Sequence, residues 1–73
     1  MKNILIIEDE AKIRKLIKSY LSEEYKISEA DNGKKGLETF SENDFDLIVL
    51  DLMLPEISGE EVCQKIRQIS DIP

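Results

Sequence analysis

The chain has 73 residues, with 16 acidic and 10 basic side chains, no histidine and a formal net charge of -6 at pH 7. This length allows one small domain. The acidic balance and the lack of a basic stripe disfavour nucleic-acid binding by this segment. The single cysteine, Cys63, excludes an intrachain disulfide. Because no apolar run is long enough for a signal peptide or a membrane span, we expect a soluble, cytoplasmic protein.

The first half of the chain alternates strand and helix patterns. Ile4 to Ile7 is an unbroken apolar run, which predicts a strand, and it ends at the acids Glu8, Asp9 and Glu10. Apolar residues spaced three and four apart then predict a helix: Ile13, Leu16, Ile17, Tyr20 and Leu21. Tyr25 to Ala30 predicts a second strand, and Asp31-Asn32-Gly33 is a turn signal before a second helix.

The second half repeats this alternation. In the second helix Leu37 and Phe40 are predicted to face inward, Gly36 to allow close packing, and Asn43-Asp44 to end the helix. Ile48 to Leu50 predicts a third strand, buried on both faces, that stops at Asp51. Beyond the loop from Pro55 to Gly59, a third helix is predicted to begin near Glu60 with Ser58 as its cap. Its apolar positions are Val62, Ile66 and Ile69.

This β-α-β-α-β-α order predicts an α/β fold with three layers, flavodoxin-like, and a parallel sheet in the order 2-1-3. One helix then lies on one face of the sheet and two on the other. Ligands of such sheets bind beyond the carboxyl ends of the strands, where the strand order reverses. The acids after the first and third strands are therefore expected to meet in one crevice.

Three carboxylates at one crevice, Glu8, Asp9 and Asp51, suit a small hard cation. They repel one another, and Mg²⁺ prefers such oxygen ligands. With a metal bound, one carboxylate can act as a nucleophile toward phosphorus. Alternatives remain open at this point: each acid can be a solvated turn residue, and Glu8 to Glu10 can simply suit the start of a helix. Lys12 to Lys18 is interpreted as a solvated helix face, and Cys63 as a packing residue.

These residues resemble the receiver domain of bacterial two-component response regulators. The resemblance rests on Ile4 to Glu10, Asp31-Asn32-Gly33, Asp46 to Pro55 and Gly59. It is strongest toward regulators with a C-terminal winged-helix DNA-binding domain, and it implies control of transcription rather than an enzyme.

The resemblance also implies a role for each site residue. Asp51 is then the phosphoacceptor, which takes a phosphoryl group from a phosphohistidine on a sensor histidine kinase. Asp9 is a direct Mg²⁺ ligand, Glu8 acts through metal-bound water, and the backbone carbonyl of Met53 completes the metal site.

The resemblance covers only part of such a domain, because the fourth and fifth strand-helix units of a receiver have no counterpart in residues 1–73. We therefore expect a truncated, N-terminal receiver fragment with impaired phosphorylation, since the family's hydroxyl residue and lysine are missing. The third strand becomes an edge, which favours a homodimer. Two alternatives are a structural half-domain that oligomerises without activity and an aspartyl-phosphate phosphotransferase. The second is disfavoured because Met53 stands where such enzymes have another Asp.

Overall fold

The computed structural model describes residues 2–73 and contains three strands that alternate with three helices. In chain order these are β1 (Lys2–Ile7), α1 (Ala11–Leu21), β2 (Tyr25–Ala30), α2 (Gly33–Glu42), β3 (Leu47–Leu50) and α3 (Gly59–Arg67). The strands form one parallel sheet in the order β2-β1-β3. The predicted α/β fold and strand order are therefore confirmed.

The central strand β1 carries the core. Ile4, Leu5, Ile6 and Ile7 are all buried, as expected for a strand with a neighbour on each side. Leu5 and Ile7 belong to a cluster with residues of α2, α3 and the loops beside them, among which are Phe45, Leu54, Val62 and Ile66. Because side chains alternate across a strand, Ile4 and Ile6 face the opposite side of the sheet, toward α1.

Glycine sets the distance between α2 and the sheet. A Cβ atom placed on Gly36 would lie 2.5 Å from Cδ1 and 2.9 Å from Cγ1 of Ile7, closer than atoms can pack. Ile7 is fully buried, so its side chain has little room to move away. The close packing predicted at Gly36 is therefore present, and it brings α2 directly against β1.

Two apolar surfaces outside the core are only partly covered. On α1, Ile13, Leu16 and Tyr20 are 42%, 58% and 79% exposed, because the three strands cover only part of its apolar face. On β3, Leu47 is exposed and Ile48 to Leu50 are only half-buried. Within residues 2–73, β3 has a strand neighbour on one side alone, so the expected edge is confirmed, whereas the predicted burial of the strand on both faces is wrong.

The ends of α3 follow local chemistry. The hydroxyl of Ser58 accepts a hydrogen bond from the Glu61 N–H at 3.2 Å, which confirms the predicted cap, and the helix begins at Gly59. The helix ends at Arg67, so the prediction that Ile69 lines it is wrong; Ile69 is 71% exposed. The part of the chain that the structure describes has no helix with both the length and the apolar character needed to cross a membrane.

Candidate functional site

Two strand ends bring the candidate site together. Ile7 and Leu50 are partners in the parallel register, and the Asp51 N–H donates a hydrogen bond to the Ile7 carbonyl oxygen at 3.0 Å. The residues that follow each strand therefore leave the sheet side by side. One carboxylate oxygen from each of Glu8, Asp9 and Asp51 lies within 4.8 Å of the others. The structure thus joins the two acidic segments that the sequence analysis expected to meet.

Glu8 is the most enclosed of the three acids, with only 8% of its surface exposed. Its N–H donates to the Ala30 carbonyl oxygen at 3.0 Å, and its Oε2 accepts from the Glu10 N–H at 3.1 Å. Burial raises the pKa of the Glu8 carboxyl above its ordinary value, and the Asp9 and Asp51 carboxylates raise it further. The hydrogen bond from Glu10 opposes this rise. The ionised form of Glu8 is therefore disfavoured, chiefly because the carboxyl is shielded from water.

Asp51 is half-buried and is oriented by its own turn. Its Oδ1 accepts a hydrogen bond from the Met53 N–H at 3.0 Å, the pattern of an Asx turn. Asp9 is exposed, and the Met53 side chain is 86% exposed. Two residues of this site, Asp9 and Met53, are therefore accessible to solvent. The role of the Met53 carbonyl as a ligand stays a prediction.

The loop after Asp51 is held close to it by Gly59. The Gly59 N–H donates to the Leu52 carbonyl oxygen at 3.0 Å. A Cβ atom on Gly59 would overlap the Asp51 carbonyl oxygen and the Leu52 Cα, and would lie 2.8 Å from the Asp51 carbonyl carbon. Glu56, in the same loop, has a φ of 62°, in the left-handed region. Only a residue without a side chain allows the start of α3 to approach Asp51 in this way.

Arg14 on α1 contacts the backbone of Glu8, and the sequence did not predict this contact. Its Nη1 donates to the Glu8 carbonyl oxygen at 2.9 Å, and its Nε lies 3.3 Å from Oε1 of Glu29. The interpretation of Lys12 to Lys18 as a solvated face is therefore wrong at this position. The position of Arg14 could have indicated this contact, because it lies one turn into α1, four residues after Glu10. From there a long side chain can reach back to the end of β1.

The comparison with protein families decides the assignment. The sequence pattern of the response regulator receiver domain matches residues 4–73, nearly the whole chain. The chain belongs to the response regulator receiver domain family. The sequence resemblance is thereby confirmed, together with the class of two-component signalling proteins in which these domains occur.

Curated relatives and solved receiver structures agree with this assignment. The transcriptional regulatory protein ResD of Bacillus subtilis is 46% identical over 71 residues, which are 96% of this chain and 30% of ResD. SrrA of Staphylococcus aureus, also a transcriptional regulatory protein, matches with the same identity and the same coverage. The receiver chain thus spans about a third of the length of these curated relatives.

Among solved structures, the response regulator TrrA of Thermotoga maritima, in complex with Mg²⁺-BeF, superposes with a TM-score of 0.89 at 45% identity. The match covers 93% of this chain and 60% of TrrA. A second structure contains TrrA in complex with the histidine kinase ThkA, also with a TM-score of 0.89. A receiver domain from Clostridium thermocellum reaches 0.91 at 30% identity and covers 96% of this chain and 58% of its own.

Family membership corrects one expectation of the sequence analysis. We expected a signalling module that is not an enzyme, but receiver domains belong to response regulators, in which phosphotransfer to an aspartate occurs. The plain statement that the chain is no enzyme is therefore wrong. Within residues 2–73 no observation by itself identifies catalytic turnover or a substrate.

Proposed function

We propose that this receiver domain accepts a phosphoryl group on Asp51 from a phosphohistidine of a sensor histidine kinase. The observation that carries the proposal is the approach of the Glu8, Asp9 and Asp51 carboxylates to within 4.8 Å at the ends of β1 and β3. The complex of the similar regulator TrrA with the kinase ThkA supports a kinase as the partner.

The phosphoryl transfer we propose is a displacement at phosphorus. A carboxylate oxygen of Asp51 forms the new O–P bond, while the N–P bond of the phosphohistidine breaks and its imidazole nitrogen keeps the electron pair and takes up a proton. The Met53 N–H holds Oδ1 of Asp51 at 3.0 Å and so limits rotation of the carboxylate. An oriented nucleophile reduces the entropy cost of the reaction.

The residues present fit a Mg²⁺ ion. Glu8, Asp9 and Asp51 offer hard oxygen ligands, and we propose that they hold the ion together with the backbone carbonyl of Met53. Burial is the main cause of the raised pKa of Glu8, and the neighbouring Asp9 and Asp51 carboxylates add to it; a cation between the carboxylates would offset that smaller part. When bound, the ion would neutralise negative charge on the transferred phosphoryl oxygens. The Mg²⁺-BeF complex of TrrA supports the choice of metal.

A phosphodonor assay tests the assignment of Asp51. The chain is incubated with Mg²⁺ and acetyl phosphate, and the intact mass is followed for the addition of one phosphoryl group. We expect slow and incomplete addition in the wild type, because the family's hydroxyl residue and lysine have no counterpart in residues 1–73, and no addition in Asp51→Asn. The control is Asp46→Asn, because Asp46 lies at the other end of β3 and accepts a hydrogen bond from the Asn3 N–H, which an Asn can preserve. Equal labelling of wild type and Asp51→Asn would contradict the proposal.

For the whole protein, we propose control of transcription through an output domain that binds DNA. The names of the relatives support this, since ResD and SrrA are both transcriptional regulatory proteins. Because the chain covers only part of the matched receiver structures, we propose that residues 1–73 are the N-terminal part of a receiver domain. We also propose that the protein acts in the cytoplasm. The match covers 60% of TrrA, which supports the proposal that this chain is part of a larger receiver domain.

We further propose that this chain pairs with a second copy through β3. The strand is an edge within the described residues, and its Ile48 and Leu50 line an apolar cavity of about 250 Å³ together with Cys63 and Ile66. The Ile48 N–H already donates to the Pro73 carbonyl oxygen at 3.0 Å, so this N–H is not available to pair with a second copy. Sedimentation of the wild type against Leu50→Lys tests this proposal. A charge on the edge should shift the protein to the monomer.

A further inference from the structure

The backbone of Glu8 is held from two directions. Its N–H donates to the Ala30 carbonyl oxygen of β2 at 3.0 Å, and its carbonyl oxygen accepts from Nη1 of Arg14 at 2.9 Å. The turn that follows has no ordinary helix cap, because the Glu10 side chain at the start of α1 makes no capping hydrogen bond. The guanidinium of Arg14 is therefore a contact that fixes the turn carrying Glu8 and Asp9.

Arg14 is itself anchored. Its Nε lies 3.3 Å from Oε1 of Glu29 on β2, and Nζ of Lys18 lies 3.2 Å from the other carboxylate oxygen of Glu29. The Arg14 side chain is 18% exposed, whereas the Lys18 side chain is 47% exposed. The planar guanidinium thus joins α1, β2 and the end of β1, and its several N–H groups make this arrangement specific to arginine.

We propose that Arg14 is a positioning residue, which holds the turn of Glu8 and Asp9 in the geometry that a divalent cation requires. The inference rests on the proposed function, because the cation is the one assigned to the acidic cluster. Mg²⁺ tolerates little departure from its preferred geometry, so a displaced carboxylate costs affinity. Groups that orient metal ligands from outside typically contribute roughly 10- to 100-fold to affinity.

Charge and positioning predict opposite results when Arg14 is replaced. A positive charge near a cation site opposes binding, so a purely electrostatic role predicts tighter Mg²⁺ binding once the charge is removed. A positioning role predicts weaker binding, because the Glu8 carbonyl loses its donor and the turn can move. The sign of the change in the dissociation constant therefore separates the two roles.

The experiment measures the Mg²⁺ dissociation constant by NMR titration of the wild type, Arg14→Met, Arg14→Lys and Lys18→Met. We expect roughly tenfold weaker binding for Arg14→Met and a smaller loss for Arg14→Lys, which keeps the charge but not the planar group. Lys18→Met is the matched control: it removes an equal charge from the same Glu29 without a contact to Glu8, and it should bind at least as tightly as the wild type. Unchanged or tighter binding by Arg14→Met overturns the inference.

A measurement on the wild type alone covers the case in which a variant fails to fold. During the Mg²⁺ titration, the Nε–H resonance of Arg14 should shift with the same midpoint as the Asp9 amide, and a stationary Arg14 resonance overturns the inference. A wild type that takes up no Mg²⁺ overturns the proposed function and this inference with it. A wild type that binds Mg²⁺ while Arg14→Met binds equally well overturns this inference alone.

Discussion

Gly59→Ala is the sharpest test of how the loop after Asp51 is built. The three atoms nearest to a Cβ at this position all belong to the backbone: it would overlap the Asp51 carbonyl oxygen and the Leu52 Cα, and would stand 2.8 Å from the Asp51 carbonyl carbon. Flexible side chains can move away from an added methyl group, but these backbone atoms are fixed by neighbouring hydrogen bonds. The Asp51 N–H is bonded to Ile7, and the Leu52 carbonyl accepts from Gly59 itself.

The expected size follows from this geometry. An extra methyl group in a well-packed site typically costs about 1–3 kcal/mol, and contact with backbone puts Gly59→Ala at the upper end of that range. The gain in helix propensity is at most about 1 kcal/mol and is smaller at the first position of α3. We therefore expect a net loss of about 2–3 kcal/mol in the free energy of unfolding. A chain of this length has a total of roughly 4–11 kcal/mol.

Urea denaturation followed by far-ultraviolet circular dichroism measures this loss. Glu60→Ala is the control, because Glu60 is the next residue along α3 and is exposed, so its change should stay within about 0.5 kcal/mol. The Mg²⁺ dissociation constant of Gly59→Ala should also rise, since the strained backbone belongs to Asp51. If Gly59→Ala unfolds with the same free energy as Glu60→Ala, the close approach of α3 to Asp51 is refuted.

Three further predictions concern the stability of the fold. Without Mg²⁺, Glu8→Gln should be more stable than the wild type at pH 7. The pKa of Glu8 is higher in the folded state than its ordinary value of 4.5. The protonated carboxyl therefore contributes fully to stability below pH 4.5, and this contribution is lost as the pH rises through the folded-state pKa. Denaturation at several pH values should therefore show the advantage of Glu8→Gln shrinking toward zero in acid, and an advantage that persists there contradicts the burial argument. Glu56→Gly should raise the free energy of unfolding by about 0.5 kcal/mol, because glycine adopts the φ of 62° without strain. In urea denaturation, the matched variant Glu60→Gly should instead lower the free energy of unfolding by about 1 kcal/mol, because Glu60 lies in a helix. Ser58→Ala should lose about 1 kcal/mol through the missing bond to the Glu61 N–H; Ser58→Asp should retain the stability, and a loss in both variants would argue against capping as the cause.

The sequence predicted the architecture well because its signals are local. Apolar runs mark β1 and β3, and each run ends at the acid that the site uses. Right-handed connections between parallel strands then leave few arrangements, of which the order 2-1-3 is the simplest. The approach of Asp9 to Asp51 followed from that order without any knowledge of their side-chain contacts.

Burial is not a local property of the sequence, and the predicted burial of β3 on both faces failed for that reason. Ile13 and Leu16 have the spacing of a buried helix face, yet they are exposed, because periodicity shows which residues share a face and not what covers it. The apolar run of β3 likewise has the composition of a central strand while the strand lies at an edge. Whether a face is covered depends on elements distant in sequence.

By itself, the sequence determined the order of strands and helices, the family, the acids at two strand ends and the cap at Ser58, because each of these depends on residues close together in the chain or on simple rules of connection. Only the tertiary structure decided that Glu8 is buried with a raised pKa, that Gly59 touches the backbone of Asp51, and that Arg14 reaches the Glu8 carbonyl. Those three facts depend on distances between atoms of different elements. No periodicity or composition encodes such distances, since they arise only when the packed sheet and helices fix where each backbone lies.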